Sequence, residues 1–346
     1  RKKALSLSIF LMAIPPFVVF FLPSYEKIGL LAPLTILFLR LIQGFSAGGE
    51  FNGAAIYILE NLKSSKKAFY SSFVSAAGGM GALLALLLAL ILNLDFMPDY
   101  AFRFAFLIGA SVGLVGFFMR SSLPQELLEE TGSEQTKLSS LKELFRKHKR
   151  SILTTVSVGA LDGTLSYSLV GFIGVYVAQF LGVELTHSFA ITLTSLSLYL
   201  VLTPIMGRLC DKMGTKKFYR FYFLFVFFII PCVYKLIQTK ELLFILIGQC
   251  LMALCVAGFA GTQHAYIQSL FPKKLRYTGV AFSYNLGTCL LGGTSPMILT
   301  AVYAKTKNLD TPIFYVLALC FIAATLILRS FKKFPLKSHY IFMINK

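Results

Sequence analysis

Apolar residues run along this chain in ten long blocks separated by short polar loops. The blocks lie near 4–22, 33–59, 68–94, 100–121, 151–181, 187–207, 218–237, 241–268, 278–304 and 311–331. Crossing the hydrocarbon core of a bilayer takes about 20 residues of helix, so each block predicts one membrane-spanning helix. The loops alternate in charge. One set carries Arg1, Lys2 and Lys3, then Lys63, Lys66 and Lys67, the 122–150 segment, Arg208, Lys212, Lys216 and Lys217, then Lys273, Lys274 and Arg276, and finally Lys332 and Lys333. The other set is 23–29, Asp95–Asp99, Gly182–Thr186, Gln238–Lys240 and Lys305–Asp310, short loops with few cations. Lys and Arg stay on the cytoplasmic side of a membrane. Both ends of the chain are therefore expected in the cytoplasm, and ten crossings satisfy that parity.

The second block breaks its own pattern. Arg40 and Glu50 sit ten residues apart inside Leu34–Tyr57. A charge at that depth is costly and usually faces a water-filled cavity or a partner. At about 100° per residue, Arg40, Gln43, Ala47 and Glu50 fall within roughly an 80° arc. One helix thus shows a cation, an amide and an acid along one stripe, which points to a pathway for a polar solute.

The segment 122–150 is the one long loop, with four spans before it and six after it. Its second part, Leu138–Arg150, interleaves basic residues with Leu and Phe. It reads as a short amphipathic helix on the membrane or, equally, as a solvated linker helix. An internal repeat is visible. Arg1-Lys2-Lys3 before Pro15-Pro16 matches Lys216-Lys217 before Pro231, and Tyr57-Ile-Leu-Glu60 before Lys66-Lys67 matches Tyr266-Ile-Gln-Ser269 before Lys273-Lys274, both offset by about 210 residues. Two six-span halves would explain this. The expected architecture is an all-α membrane protein with ten transmembrane helices of a twelve-helix (6+6) bundle. Residues 1–121 form an incomplete N-terminal half of four spans and 122–150 a cytoplasmic linker. Residues 151–331 form a C-terminal half of six spans, and 332–346 a short cytoplasmic tail. Two further spans, roughly 60–80 residues, would precede Arg1.

Composition narrows the reading. Of 346 residues, 56% are hydrophobic and 14% charged, whereas a soluble domain carries about 25% charged residues. No separate soluble domain fits. The formal net charge of +18 lies in short loops between apolar spans, so no nucleic-acid partner is expected. The six cysteines are scattered and form neither a zinc pattern nor a disulfide framework. The sequence shows no nucleotide-binding loop, which leaves ATP-driven transport without support. No cofactor, metal or enzymatic activity is expected.

The loop Pro204-Ile-Met-Gly207-Arg208-Leu-Cys-Asp211-Lys-Met-Gly214-Thr215-Lys216-Lys217 resembles the signature loop of the major facilitator superfamily. Glycine permits the tight turn, and Asp211 is placed to cap the following helix or to pair with a neighbouring one, latching one conformation. Thr215 departs from the usual arginine of that loop. Arg1-Lys2-Lys3 resembles the end of its first-half copy. Two further stretches resemble the metabolite:proton symporter family, which includes proline/betaine, α-ketoglutarate, citrate and shikimate carriers. One is Arg40-x-x-Gln43-Gly44-x-x-x-Gly48-Gly49-Glu50. The other runs from Leu270-Phe-Pro-Lys-Lys-Leu-Arg276-Tyr277-Thr278-Gly279 through Tyr284-Asn285-Leu-Gly287 to Gly292-Gly293-Thr-Ser-Pro296. The segment Ser166–Tyr176 resembles the family's aromatic seventh span, with Gly174 where proline is common, which predicts a straighter helix. Arg103 matches a frequent family arginine.

Under this resemblance Arg40 would hold a substrate carboxylate with its bidentate fork, tuned by Gln43. Glu50 would carry or gate a proton. Asp162 and His264 are the other proton-coupling candidates, and Tyr167, Tyr176, Tyr284 and Asn285 are pathway candidates. Aromatic faces suit a quaternary ammonium solute. Each has a plainer role open to it, as an interhelical partner or a packing residue. Gly207, Asp211, Gly214, Lys216 and Lys217 would form the cytoplasmic gating loop. Lys235 is expected to snorkel to the surface. The resemblance implies a proton symporter of a small zwitterionic or carboxylate solute in a bacterial inner membrane. Proline/betaine comes first and a dicarboxylate such as α-ketoglutarate second, with the lipid bilayer, protons and the solute as partners. A truncated carrier remnant that transports nothing is the reading of a different class.

Overall fold

A computed structural model describes residues 2–62, 64–92, 94, 96–98, 100–121, 143–308 and 310–333, and the regular structure among them is helical. Eight segments are long and apolar enough to cross a membrane: Leu31–Asn61, Lys67–Leu92, Lys149–Phe180, Leu185–Met213, Thr215–Gln238, Leu242–Ser269, Lys273–Thr306 and Asp310–Phe331. Two further helices carry shorter apolar runs, Phe10–Phe21 and Phe102–Phe118. Together they account for the ten predicted blocks. Arg1, Lys63, Asp95, Asp99, the 122–142 part of the linker and the 334–346 tail lie outside the described residues.

The chain forms two compact units that do not follow its order, Arg1–Phe51 with Leu84–Lys137, and Asn52–Leu83 with Leu138–Lys346. The first unit holds α1 (Lys2–Phe21), the single turn α2 (Tyr25–Ile28), α3 (Leu31–Ala47) and the helix further along the chain at Phe102–Ser121. The Phe102–Ser121 helix packs on α1 through small residues: a Cβ on Gly113 would lie 2.9 Å from that of Ala13. Small residues are what let backbones approach in a membrane bundle. Arg103 Nη1 donates to Phe20 O at 3.4 Å, so this arginine holds the last carbonyls of α1, as the helix dipole favours.

Between them come α4 (Glu50–Asn61) and α5 (Lys67–Leu92), with Phe102–Ser121 as α6. The expected single helix over 33–59 is thus divided, because α3 stops at Ala47 and α4 starts at Glu50. The intervening Gly48 and Gly49 have the largest backbone entropy to lose on becoming helical. Glu50 therefore opens a helix rather than sitting in the middle of one.

The second unit contains α7 (Lys149–Tyr167), α8 (Leu185–Met213), α9 (Thr215–Gln238), α10 (Leu242–Ser269), α11 (Lys273–Gly287), α12 (Ser295–Thr306) and α13 (Asp310–Lys333). The seventh span is continuous but not uniformly α-helical. α7 continues through two π-helical turns, Ser168–Phe172 and Tyr176–Phe180, and a third such turn, Thr288–Gly292, follows α11. A π turn leaves local carbonyls in need of other donors. Leu291 O finds two, Tyr315 Oη at 2.9 Å and Thr164 Oγ1 at 3.4 Å.

Glycine sets which helices meet. On α7 and α11, a Cβ on Gly287 would run into Val156 O, one on Gly159 into Tyr284 O, and one on Gly163 would lie 2.8 Å from Gly292 Cα. On α8 and α10, a Cβ on Gly261 would run into Thr203 O, and one on Gly207 would lie 3.0 Å from Gly261 O. These are two backbone-on-backbone pairs, α7 with α11 and α8 with α10. The described end of the linker is helical at 143–147. Leu144 is fully buried and faces Gly279 on α11, and the Phe145 and Phe282 rings meet edge-to-face at 5.3 Å. This turn thus packs against α11 through Leu144 and Phe145.

Candidate functional site

Asp211 ends α8 and is half-buried. Its Oδ1 accepts from Ala68 N at 3.0 Å and its Oδ2 from Phe69 N at 2.8 Å. These amides belong to the first turn of α5, whose N–H groups lack intrahelical acceptors. A carboxylate there completes two hydrogen bonds and meets the positive end of the helix dipole. Of the two roles open to Asp211, capping the next helix or gripping a neighbour, the structure therefore shows the second. Gly214 makes the turn that follows, with φ +83 and its N–H on Cys210 O at 2.8 Å. Gly207 lets α5 come close, since a Cβ on it would lie 2.8 Å from Ala68 O. Lys216 and Lys217 are exposed beside the turn.

The same face of α5 is stitched further along. Ser75 Oγ donates to Ala260 O at 2.8 Å, and Tyr199 Oη donates to Ser75 O at 3.2 Å. A Cβ on Gly79 would run into the Tyr199 ring. At the end of α4, Glu60 Oε1 pairs with Arg276 Nη1 at 2.8 Å, with side chains 19% and 15% exposed. Arg276 Nε also donates to Gln268 O at 3.1 Å. Neither Glu60 nor Tyr199 stands out as functional in the sequence. Glu60 was visible only as one letter of a repeat, and Tyr199 as one tyrosine among sixteen.

Deeper in this unit lies a buried polar cluster. Tyr284 Oη on α11 donates to Asp162 Oδ2 on α7 at 2.6 Å. Gln263 Nε2 on α10 lies 3.4 Å from Tyr284 Oη, and the His264 ring stands 6.3 Å from that of Tyr284. Asp162, Gln263, His264 and Tyr284 are all at least nine-tenths buried. Asp162 Oδ1 and Gln263 Oε1 accept no hydrogen bond, and among the described residues no cation pairs with Asp162. Three sequence candidates, Asp162, His264 and Tyr284, thus come together, with Asn285 half-buried next along the chain. Gln263 was overlooked, although a Gln-His pair inside an apolar span is a legible signal.

The remaining candidates stand apart from this cluster. Tyr167 is 44% exposed. Tyr176 is buried in an aromatic group, its ring 4.9 Å from Tyr303 and 5.9 Å from Phe172. In the other unit, Arg40 Nη1 donates to Gln43 Oε1 at 2.9 Å, one turn along α3, and Glu50 is half-buried at the start of α4. Lys235 is exposed and meets Asp310 Oδ1 at 2.8 Å, where Gln238 Nε2 also donates at 3.2 Å.

A family model described as Major Facilitator Superfamily matches residues 1–197 and 157–339. The chain belongs to the major facilitator superfamily. This superfamily member is a multi-pass membrane protein of a transporter family, not an enzyme. It is 27% identical over 337 residues to the glycine betaine/proline/ectoine/pipecolic acid transporter of Dickeya dadantii, covering 93% of this chain and 67% of that one. It is likewise 27% identical to the proline/betaine transporter of Escherichia coli, covering 92% of this chain and 66% of the relative. The chain thus spans about two thirds of the length of these relatives. Among solved structures, a proton:xylose symporter bound to 6-bromo-6-deoxy-D-glucose aligns with a TM-score of 0.70 at 15% identity, covering 96% of this chain and 80% of that one. That likeness supports the fold alone.

Proposed function

We propose that this superfamily member works as a secondary carrier that couples a proton to the movement of a small zwitterionic solute of the proline or betaine type. The observation that carries the reading is the Asp162–Tyr284 pair. An ionised carboxylate in a dry bundle is costly without a countercharge. A group that takes up and releases a proton avoids holding that charge permanently. The Dickeya and E. coli relatives support the solute class, and a guanidinium such as Arg40 suits its carboxylate. Glu50 is the second acid of the pathway. A dicarboxylate of the α-ketoglutarate type is the second substrate class, consistent with the same arginine.

Gly207, Asp211, Gly214 and the lysines after them act as the gating loop, and Asp211 closes it by gripping α5. The charge alternation puts this loop, the linker and both ends of the chain on the cytoplasmic side of a bacterial inner membrane. A division of the spans at the 122–150 linker, the expectation from the sequence, would suit alternating access.

The whole protein in proteoliposomes tests the reading. Proline and glycine betaine uptake should saturate and should collapse when the proton gradient is dissipated. Uptake that ignores the gradient overturns proton coupling. Competition by α-ketoglutarate but not by betaine moves the substrate to the dicarboxylate class. No saturable flux of any of these points to a remnant.

A further inference from the structure

Asp162 and Tyr284 sit on one backbone-welded pair, α7 with α11, and Gln263 sits on the other, α8 with α10. The second pair is also the one that holds α5, through Asp211 on Ala68 and Phe69, Ala260 on Ser75, and Tyr199 on Ser75. Gln263 therefore stands between the proton-coupling cluster and the helices that make the latch. Two acceptor atoms in this cluster, Asp162 Oδ1 and Gln263 Oε1, are buried without a donor. A buried polar atom without a partner is costly. The Gln263 amide is within hydrogen-bond reach of the Asp162 carboxylate, so a proton on that carboxylate reverses which of the two groups must donate.

We propose that Gln263 is a positioning residue that transmits the protonation state of Asp162 to the α8–α10 pair and so to the latch on α5. The inference rests on the reading of Asp162 as the proton carrier. With Asp162 ionised, the amide turns its N–H groups toward the carboxylate and Tyr284. With Asp162 protonated, the amide turns over and its oxygen accepts the new O–H. An amide presents either end at similar steric cost, because its oxygen and nitrogen are nearly the same size. The proton arrives from water on one side, rests on Asp162 Oδ1 as a carboxylic O–H and leaves to water on the other. No bond to Gln263 is made or broken covalently. The titratable groups around Asp162 are Tyr284 on α11, His264 on α10, Tyr199 on α8 and Tyr219 and Tyr222 on α9. None of them is a second acid or a permanent cation.

The test needs no substrate. A cysteine replaces Ser71, which is fully buried on the latch face of α5, in a background without the native cysteines. Its reaction rate with a water-soluble maleimide is followed against pH in the whole protein. Infrared difference spectra of the same samples follow the carboxylic C=O band. In the parent, labelling should change roughly tenfold across the titration, the size of an ordinary coupling between sites, and a band should titrate with it. Asp162→Asn should remove both. Gln263→Leu should keep the titrating band and flatten the labelling. Should Gln263→Leu not accumulate folded, Gln263→Asn is the substitute, since its amide is drawn back by one methylene and should flatten the labelling too. A Gln263 variant with the parent's pH-dependent labelling overturns this inference and leaves Asp162 as the carrier. No titrating band in the parent, or one that survives Asp162→Asn, removes the proton reading itself and this inference with it.

Discussion

Asp162 and Asp211 are the same residue type in the same compact unit, yet the donors that meet them differ in kind. Asp211 accepts two backbone N–H groups, one on each oxygen, at the start of α5. Backbone donors cannot turn away, and the helix dipole adds to their hold. Asp162 accepts the Tyr284 hydroxyl on Oδ2 and has the Gln263 amide beside it, both of them movable side chains. A hydroxyl rotates and both donates and accepts. Gripped by fixed donors, a carboxylate is held in place as a clasp. Met by movable donors, it has the freedom that the proposed switch needs.

The sharpest way to break this contrast is to give both sites an amide. Asp162→Asn keeps the shape and removes the exchangeable proton. Uphill accumulation of proline or betaine under a proton gradient should be abolished, while downhill exchange, measured with labelled solute on one side, should persist. Accumulation at the parent's level would show that Asp162 is a structural acid like any other.

Asp211→Asn should act less severely. It loses the charge on the α5 dipole and one of two acceptors, since an amide NH2 cannot accept. A net hydrogen bond to a charged group is worth about 1.5–3 kcal/mol, so the balance between latched and open states should shift by roughly tenfold to a hundredfold. Transport should slow while binding, read by calorimetry on detergent-solubilised protein, stays nearly unchanged. Loss of binding with normal expression would place Asp211 in the solute site and erase the distinction drawn from its donors.

The stripe on α3 and α4 sharpens the same point in the other unit. Arg40 is exposed and hydrogen-bonded to Gln43 one turn along, and Glu50 opens the next helix beyond the Gly48–Gly49 break. With that break between them, separate tasks are the expectation to test. Arg40→Lys keeps charge but loses the fork and should raise KM about tenfold with kcat little changed, the loss of one good charge-assisted hydrogen bond. Glu50→Gln should lower proton-driven accumulation and spare exchange. If both variants only reduce the amount of folded protein, and the survivors transport with the parent's pH dependence, these charges merely neutralise neighbours.

The contrast between the two aspartates was only partly legible in the sequence. The membrane blocks were, because apolar length and charge-bearing loops are local signals. Asp211 was legible because glycine spacing marks a tight turn, although the helix it caps lies 143 positions back in the chain and no local pattern names it. Asp162 was visible as an acid in an apolar run. Its partners were not, since Tyr284 is brought to it by glycine contacts between helices far apart in the chain and Gln263 comes from a third helix. The split at Gly48–Gly49 and the π turns after Tyr167 were missed for a related reason: hydropathy reports that a segment is apolar, not how its backbone is wound. Arg40 and Glu50 stood out most in the sequence because charge is conspicuous there. The buried network depends on which neutral groups surround an acid, and that is a property of packing.

A third aspartate sets the lower bound. Asp310 opens α13 and meets Lys235 at 2.8 Å and Gln238 at 3.2 Å, as many partners as Asp211 has. If partner number alone made a clasp, Asp310 would be one. Its side chain is 39% exposed and that of Lys235 is 61% exposed, so water competes for every bond and salt screens the charges. Both partners are also flexible side chains that lose rotamer freedom to hold it. Asp310→Asn should therefore leave accumulation, exchange and the amount of folded protein within about twofold of the parent. A further check is salt: raising ionic strength should leave the Asp310→Asn variant and the parent alike. An Asp310→Asn variant as slow as Asp211→Asn would mean that burial and fixed backbone donors are not what separates a clasp from a surface pair, and the distinction between Asp162 and Asp211 would have to be rebuilt on other grounds.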